Sequence, residues 1–189
     1  MGNREDLLAG ARKVILERGV AKATARDIAS AAGVSLAAIG YHFGSKDRLV
    51  TEALSEALGN SIGDAMDELI AAGAGSSPLA GLARLWNGMP AVFEANHEAM
   101  LASLENIVRI VRSDDARGQL GDQLSGAFDD LAAHVKAAHP ELDDGQAAAI
   151  GRMYFVLVQG LGVLWLLNPG ELVANGDQLT TAVSALAGQ

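Results

Sequence analysis

Apolar residues recur every three or four positions along most of the chain, which is the spacing of side chains on one face of an α-helix. A helix is predicted from Asn3 to Arg18 and stopped by Gly19, and a longer one, 46–72, runs into the break AAGAGSSP. Further helices are predicted over 79–94, with a kink or interruption at Pro90, and over 97–111, 119–138 and 143–168. Because no segment shows the pattern of a strand, the expected fold class is all-α.

The segment 24–49 has the pattern of two short helices joined by a tight turn. Thr24 is a suitable N-cap for the first helix, Gly33 breaks that helix, and Ser35 is placed to cap the second. Two short helices around a glycine-containing turn are typical of a helix-turn-helix, whose second helix enters the major groove of DNA.

Spacing assigns the two faces of this unit. The apolar positions expected to close a small core are Ile28, Ala32, Val34, Ile39 and Phe43. The outer face of the second helix is then small and smooth, and consists of Leu36, Ala37, Gly40 and Tyr41. Because no Arg, Lys, Asn or Gln lies between Ser35 and Phe43, base reading is expected to use contacts with thymine methyl groups and the shape of the DNA.

The motif as a whole resembles a known family. Thr24 is followed in turn by R-D-I-A, A-G-V-S, Y-H-F, G-S-K and a leucine, an order similar to the DNA-binding domain of the tetracycline-repressor (TetR) family of bacterial regulators. The resemblance covers about the first quarter of the chain. It implies a three-helix, helix-turn-helix DNA-binding domain over 1–48, followed by a helical effector-binding and dimerisation domain over 49–189.

The resemblance also implies where DNA is contacted. Phosphate or groove contacts carry over to Thr24, Ser35, Leu36, Ala37, Ala38, Tyr41, His42 and Lys46. Gly40 belongs to the same surface but departs from the family pattern, since many members have a phosphate-contacting tyrosine there and this chain has its tyrosine one residue later. Thr24 and Ser35 suit a phosphate for a general reason as well, because free amide groups at a helix N-terminus attract anions.

The net charge of −9 by itself argues against a nucleic-acid partner, but the charges are unevenly distributed. Residues 1–50 hold eight Lys and Arg against five Asp and Glu, whereas the remainder holds six against eighteen. A basic end on an acidic body is typical of a protein that meets DNA with one end only. There is no cysteine, and the charges mixed through the first residues are unlike a signal peptide, so a cytoplasmic protein is expected.

The most apolar stretch is MYFVLVQGLGVLWLL, residues 153–167. It is too short for a comfortable membrane span, which needs about 20 apolar residues. A helix that is apolar all round is buried on several sides, so one face is expected to pack inside the body and another against a second copy of the chain. Gly160 and Gly162 would allow close helix approach, whether within the body or across a symmetry axis. TetR-like proteins dimerise through their last two long helices, here 119–138 and 143–168, and a twofold dimer suits palindromic operator DNA.

A pocket between the helices of the body is the expected site of a small-molecule effector, an expectation that depends on the family resemblance. The candidate ligand-binding residues are Trp86, Met89, Phe93, Met100, Phe128, Tyr154, Phe155, Gln159 and Trp165. Aromatic and Met side chains supply adaptable apolar walls, and Gln159 or Asn96 a polar anchor. For each residue taken singly, core or interface packing is the simpler interpretation.

Catalytic, metal-binding and cofactor-binding sites are not indicated. His134 and His139 are five residues apart rather than the four that place two ligands on one helix face, and they are expected in solvated or capping roles. The acidic pairs at 114–115, 129–130 and 143–144 fit helix ends or a solvated face better than paired-carboxylate catalysis.

The resulting hypothesis is a transcriptional regulator, a repressor that binds operator DNA as a dimer and is released by a small molecule. Two alternatives stay open at this point. One is a DNA-binding regulator without a small-molecule effector, and the other is a helical small-molecule binder that has lost DNA binding.

Overall fold

The computed structural model describes residues 3–112, 114–168 and 175–188, and in these ranges the chain is helical without a strand. The α-helices are α1 (Asn3–Arg18), α2 (Ala25–Ala32), α3 (Ala37–Phe43), α4 (Lys46–Leu58), α5 (Asp64–Ala71), α6 (Pro78–Ala95), α7 (His97–Val111), α8 (Asp114–Ala138), α9 (Asp144–Leu167) and α10 (Gly176–Leu186). The predicted all-α fold class is confirmed.

Most predicted helices have nearly the predicted bounds. α1 and α7 match the prediction, and α8 begins earlier than predicted. A kink or an interruption was predicted at Pro90, and α6 runs through Pro90 without an interruption.

α10 was not predicted. It begins at a capping box in which the Asn175 side chain accepts the N–H of Gln178 and the Gln178 side chain accepts the N–H of Asn175.

The long helix predicted over 46–72 is not one regular α-helix. α4 and α5 are joined by a π-helical turn, Gly59–Gly63, in which the backbone stays helical but the hydrogen-bonding interval widens. The glycines at both ends of this turn meet nothing within 4 Å of an added Cβ. The prediction missed the turn because the apolar spacing continues through it with only a small change of phase.

The chain divides into two compact units. The first runs up to Ser61 and includes Asn96–Gly121; the second comprises Ile62–Ala95 and the chain from Asp122 onward. α7 follows α6 in sequence but belongs to the first unit, where it packs on α1 and α4. The predicted functional boundary between residues 48 and 49 stays a prediction.

The first unit has one apolar core. α1 packs on α2 and α4 and supplies Leu7, Ala11 and Ile15, each at most 1% exposed. Further fully buried side chains come from the other helices, namely Ile28 of α2 and Leu49, Val50 and Ala53 of α4. Ala102 of α7 joins the same core and is 5% exposed. This core places the helix-turn-helix against α1 and α4, and α7 packs on α1 and α4.

The second unit is built around α6, which packs against α5, α9 and α10. α10 docks closely on α6, where the Asn87 side chain accepts the N–H of Gly176 at 2.8 Å. His139 was expected in a solvated or capping role. The solvated role is wrong because the residue is 2% exposed, whereas His139 does follow the last residue of α8 and its backbone N–H donates to the Val135 carbonyl at 2.9 Å. It fits beside α6 because Gly81 has no side chain, and a Cβ there would lie 3.0 Å from Nε2 of His139.

Close packing of α1 on α2 gives a stability prediction. A Cβ on Gly10 would lie 2.9 Å from the backbone nitrogen of Ala32 and 3.0 Å from the carbonyl oxygen of Ile28. Gly10→Ala is therefore expected to destabilise the fold by about 1–3 kcal/mol through overpacking. Gly40→Ala is the control, since the added Cβ meets nothing within 4 Å and a mid-helix alanine gains about 1 kcal/mol over glycine. Thermal unfolding of both variants should show melting temperatures shifted in opposite directions, and equal shifts would contradict the packing argument.

Candidate nucleic-acid interface

The first helix of the motif is fixed at both ends, as the sequence predicts. The Thr24 hydroxyl accepts the N–H of Asp27 at 3.2 Å and donates to the Asp27 carboxylate at 2.6 Å. α2 ends at Gly33, whose φ of 68° lies in the left-handed region that favours glycine. The chain therefore turns sharply after α2 and can begin a second helix close to it.

The second helix begins differently from the prediction. α3 starts at Ala37 with Leu36 as its N-cap, and no side chain makes a capping hydrogen bond there. Ser35 acts through its carbonyl, which accepts the N–H of Ala38 at 3.0 Å. The prediction of a Ser35 side-chain cap is wrong because the turn continues past Ser35 and the helical backbone begins with a residue that has no polar side chain.

The predicted division of α3 into an inner and an outer face is confirmed by burial. Ile39 and Phe43 are 4% and 5% exposed, whereas Leu36 and Tyr41 are 48% and 86% exposed. Ile28 of α2 is fully buried, and Ala32 and Val34 pack half-buried against the same core. The exposed face of α3 is therefore available to a partner.

The first turn of α4 is tied to the motif. Ser45 caps the helix by accepting the N–H of Arg48 at 3.2 Å, and Lys46 donates from Nζ to the carbonyl oxygen of Ala23 at 3.1 Å. Lys46 thus connects the start of α4 to the residue before Thr24. The ammonium group of Lys46 therefore already has a partner within the protein, whether or not it also contacts a phosphate.

The predicted DNA contacts lie around one surface. The exposed members are Thr24, Ser35, Leu36, Ala37, Gly40 and Tyr41. His42 and Lys46 are partly buried, and Ala38 is 8% exposed and belongs to the core, so its side chain offers little surface to a partner. As DNA contacts, all nine positions stay predictions.

Two arginines near this surface were not predicted as site residues. A concave surface of about 270 Å³ at the C-terminal end of α3 is lined by Tyr41, His42, Arg48 and their neighbours. The guanidinium of Arg4 lies 5.3 Å from the ring centroid of Phe43 and pairs with Glu52. Arg48 stands two residues after Lys46, a spacing that the sequence shows, whereas the approach of Arg4 depends on how α1 packs.

Residues 7–53 match the model of the bacterial regulatory proteins of the tetR family. The matched residues run from α1 into α4 and include the whole helix-turn-helix. Residues 7–53 therefore carry the helix-turn-helix domain of the TetR family. Members of this family are transcriptional regulators and not enzymes, which confirms the prediction that the protein is not an enzyme.

A relative and two solved structures extend the comparison. The chain is 32% identical over 113 residues to the HTH-type transcriptional repressor KstR2 of Rhodococcus jostii (strain RHA1), a match that covers 60% of this chain and 54% of that protein. The crystal structure of the multidrug binding protein EbrR complexed with imidazole has a TM-score of 0.69 at 18% identity, covering 97% and 93% of the two chains. The fatty acid degradation regulator FadR from Bacillus halodurans has a TM-score of 0.58 at 18% identity, covering 98% and 94%. At these identities the structures show a shared fold.

The predicted effector-binding residues are not all brought together. Met89, Phe93, Tyr154 and Trp165 are at most 3% exposed in the second unit, where the rings of Phe93 and Trp165 are 5.9 Å apart. Burial raises the pKa of Tyr154 to about 12, and its hydroxyl donates to the Pro78 carbonyl at 3.4 Å.

The other members of the set lie elsewhere. Phe128 and Phe155 form an edge-to-face pair with centroids 5.1 Å apart, Trp86 is partly buried on α6, and Asn96, the other suggested polar anchor, is the N-cap of α7. Met100 is buried in the first unit, and Gln159 is exposed on α9. The ligand-binding role of all nine stays a prediction.

α9 has two apolar faces. Its buried face includes Tyr154, Val158, Leu161 and Trp165. The exposed apolar residues follow at helical spacing on the other side, namely Met153, Val156, Val163, Leu164 and Leu167, with Gly160 among them. By length and composition α9 passes the test for a membrane span, with 33% of its most apolar window buried, a result that core helices of soluble proteins also give.

The capping box of α2 gives a testable pKa. The hydrogen bond from the Thr24 hydroxyl, with further help from the Thr24 N–H and the Arg18 guanidinium, lowers the pKa of Asp27. Because the folded pKa is below that of the unfolded chain, the stabilisation is present above the unfolded pKa and is lost as the pH falls through the folded value. In Thr24→Val the pKa of Asp27, followed by NMR of the carboxyl carbon, is expected to rise toward its ordinary value. An unchanged pKa would show that Thr24 does not hold the carboxylate.

Proposed function

We propose that this chain is a transcriptional repressor that binds palindromic operator DNA as a homodimer and releases it when a small molecule binds in the body. The observation that carries the proposal is the arrangement of α3, which is buried along Ile39 and Phe43 and exposed along Leu36 and Tyr41. A two-turn helix held in this way beside α2 is the geometry in which a helix-turn-helix presents its second helix to the major groove.

Charge and surface chemistry indicate how the DNA is read. Positive side chains surround α3, including Lys46 and Arg48, and the N-terminus of α2 at Thr24 is exposed. These groups suit phosphates, which position a protein without specifying sequence. The exposed face of α3 itself is apolar apart from the tyrosine hydroxyl, so thymine methyl groups and DNA shape are the features it suits.

The dimer is proposed through α8 and α9, over 119–138 and 143–168. The exposed apolar stripe of α9 supports this, because a soluble protein rarely leaves a contiguous apolar surface of this kind in water. Twofold pairing would set two α3 helices one DNA turn apart, about 34 Å, as palindromic half-sites require. A protein that acts on operator DNA works in the cytoplasm, which is the proposed location.

The effector is proposed to bind among the aromatic and Met side chains of the second unit. Support comes from the similarity in fold to EbrR, described as a multidrug binding protein, and to FadR, described as a regulator of fatty acid degradation. Such a ligand acts by favouring a conformation with lower DNA affinity, so that ligand and DNA are linked by a coupling free energy. The near-complete burial of Met89, Phe93 and Trp165 favours the second candidate, a DNA-binding regulator whose body binds no effector. Release of bound DNA by a screened set of apolar metabolites distinguishes the two.

The DNA-binding part is tested at Tyr41. Duplexes are first selected from a random pool with the wild-type protein, and an inverted repeat is expected. Tyr41→Ala should then weaken binding to the selected duplex by about 1–3 kcal/mol, measured by fluorescence anisotropy, with little change in melting temperature because the side chain is 86% exposed. Leu186→Ala, 89% exposed on α10, is the control and should bind as wild type does. Failure of the wild-type chain to bind any duplex at low salt would refute DNA binding.

The dimer is tested on α9. Val156→Glu places a charge in the middle of the exposed apolar stripe, where Val156 is 66% exposed. Burying an unpaired carboxylate in an interface is costly, so sedimentation should show a monomer that keeps its helical circular dichroism. Ala91→Glu on the exposed side of α6 is the matched control and should remain a dimer. A Val156→Glu dimer as stable as the control would exclude this face as the interface.

A further inference from the structure

Polar side chains of α7 reach the DNA-binding motif inside the first unit. Asn106 is 4% exposed and donates from its amide to the hydroxyl of Thr51 on α4 at 3.4 Å, and Thr51 is 2% exposed. A buried polar pair in an apolar core fixes the register of two helices, because sliding either helix would leave both groups without a partner. α7 is thus held in one position along α4.

Arg109 extends this contact to the start of α4. One guanidinium nitrogen donates to Oδ1 of Asn106 at 2.6 Å, and another lies 2.6 Å from Oδ1 of Asp47. Asp47 belongs to the first turn of α4, between Lys46 and Arg48 and shortly after the Ser45 cap. A side chain of α7 therefore binds the first turn of α4, which holds Lys46 and Arg48 near the proposed DNA surface.

A third contact reaches the other end of the motif. The carboxylate of Glu105 accepts the N–H of Val20 at 3.0 Å, in the turn between α1 and α2. Neighbouring α7 residues thus contact the segment that leads into α2 and the helix that follows α3. α7 supports the helix-turn-helix from both sides along the chain.

The charge on Asp47 gives the Arg109 contact a further consequence. The Asp47 side chain is 68% exposed, and it is the acidic residue between two basic ones on this turn. Without a partner, this carboxylate would repel nearby phosphates and offset the attraction of Lys46 and Arg48. The guanidinium of Arg109, 29% exposed, lies against it and neutralises it from the side of α7.

We propose that Arg109 is a positioning residue for DNA binding, which orients the first turn of α4 and neutralises Asp47 without touching the DNA. Its DNA-binding consequence depends on the function proposed above, whereas its effect on α4 does not. Because the ion pair is partly exposed, the expected loss on removing it is modest, roughly two- to fivefold in affinity.

The test compares Arg109→Ala with Arg112→Ala, a matched control at the exposed C-cap of α7. Hydrogen exchange of the peptide covering the first turns of α4 is measured in the full chain without DNA. Exchange there is expected to be faster in Arg109→Ala than in the wild type, and unchanged in Arg112→Ala. Equal exchange in all three proteins would overturn the positioning role, whether or not the protein binds DNA.

The second measurement is affinity for the selected duplex across a range of salt concentrations. Arg109→Ala should bind roughly two- to fivefold more weakly at one salt concentration while keeping the wild-type salt slope, since a direct phosphate contact would lower that slope by about one. In an Asp47→Asn background, Arg109→Ala should lower the affinity for the duplex by less than about twofold, because the carboxylate that Arg109 neutralises is gone. A reduced slope, or an undiminished loss in the Asp47→Asn background, would show that Arg109 does not act through Asp47. A wild-type chain that ignores every duplex refutes the proposed function instead, and the exchange measurement still decides the contact with α4.

Discussion

Burial of one side of α3 is the constraint on which the proposed DNA-binding surface depends. The helix has seven residues, about two turns, and Ala38, Ile39 and Phe43 are all committed to the core shared with α1 and α4. With three positions fixed inside, helical geometry leaves Gly40 and Tyr41 outside. The chemistry of the proposed recognition surface is therefore set by the residues that remain exposed after the core is packed, and any sequence change that rotates α3 would alter both the core and that surface.

α9 also buries one side in a core, but its other side is apolar rather than polar. It is apolar on the side that packs in the second unit and also on the side that carries Val156 and Leu164, so the chain alone leaves part of its most apolar helix exposed. About 25 cal/mol is gained for each Å² of apolar surface removed from water, which makes a second copy of the same helix an effective cover. Gly160 lies on this outward side with open space around it, whereas Gly162 lies on the inward side. Only the former is placed for a close approach of two copies.

The sequence predicted those features that depend on nearby residues. The cap at Thr24, the left-handed turn at Gly33 and the inner face through Ile39 are all local signals, and the structure has them where the pattern indicates. α10 also has a local signal, the asparagine and glutamine of its capping box, which the apolar spacing alone does not include.

What could not be predicted depends on contacts between distant parts of the chain. Burial of His139 requires the missing side chain of Gly81 on another helix. The ion pair of Arg109 with Asp47 joins residues about sixty positions apart in the sequence, and the spacing of apolar residues in α4 and α7 does not predict it. For the same reason the membership of α7 in the first unit had no sequence signal, and the predicted ligand set mixed Met100 with residues of the second unit.

The position of α7 suggests how the proposed response to a ligand would reach the DNA-binding motif. The chain passes between the two units after Ser61, after Ala95 and after Gly121, so the first passage lies in the π-helical turn and the other two bracket α7. A change in the second unit thus has covalent routes to α4 and to α7, which pack on each other in the first unit. Coupling between effector and DNA is typically worth about 1–3 kcal/mol, and a single buried hydrogen bond contributes about 0.5–1.5 kcal/mol. Loss of one or two of the polar contacts between α7 and α4 is therefore of the right size to lower DNA affinity, without any need to unfold the motif.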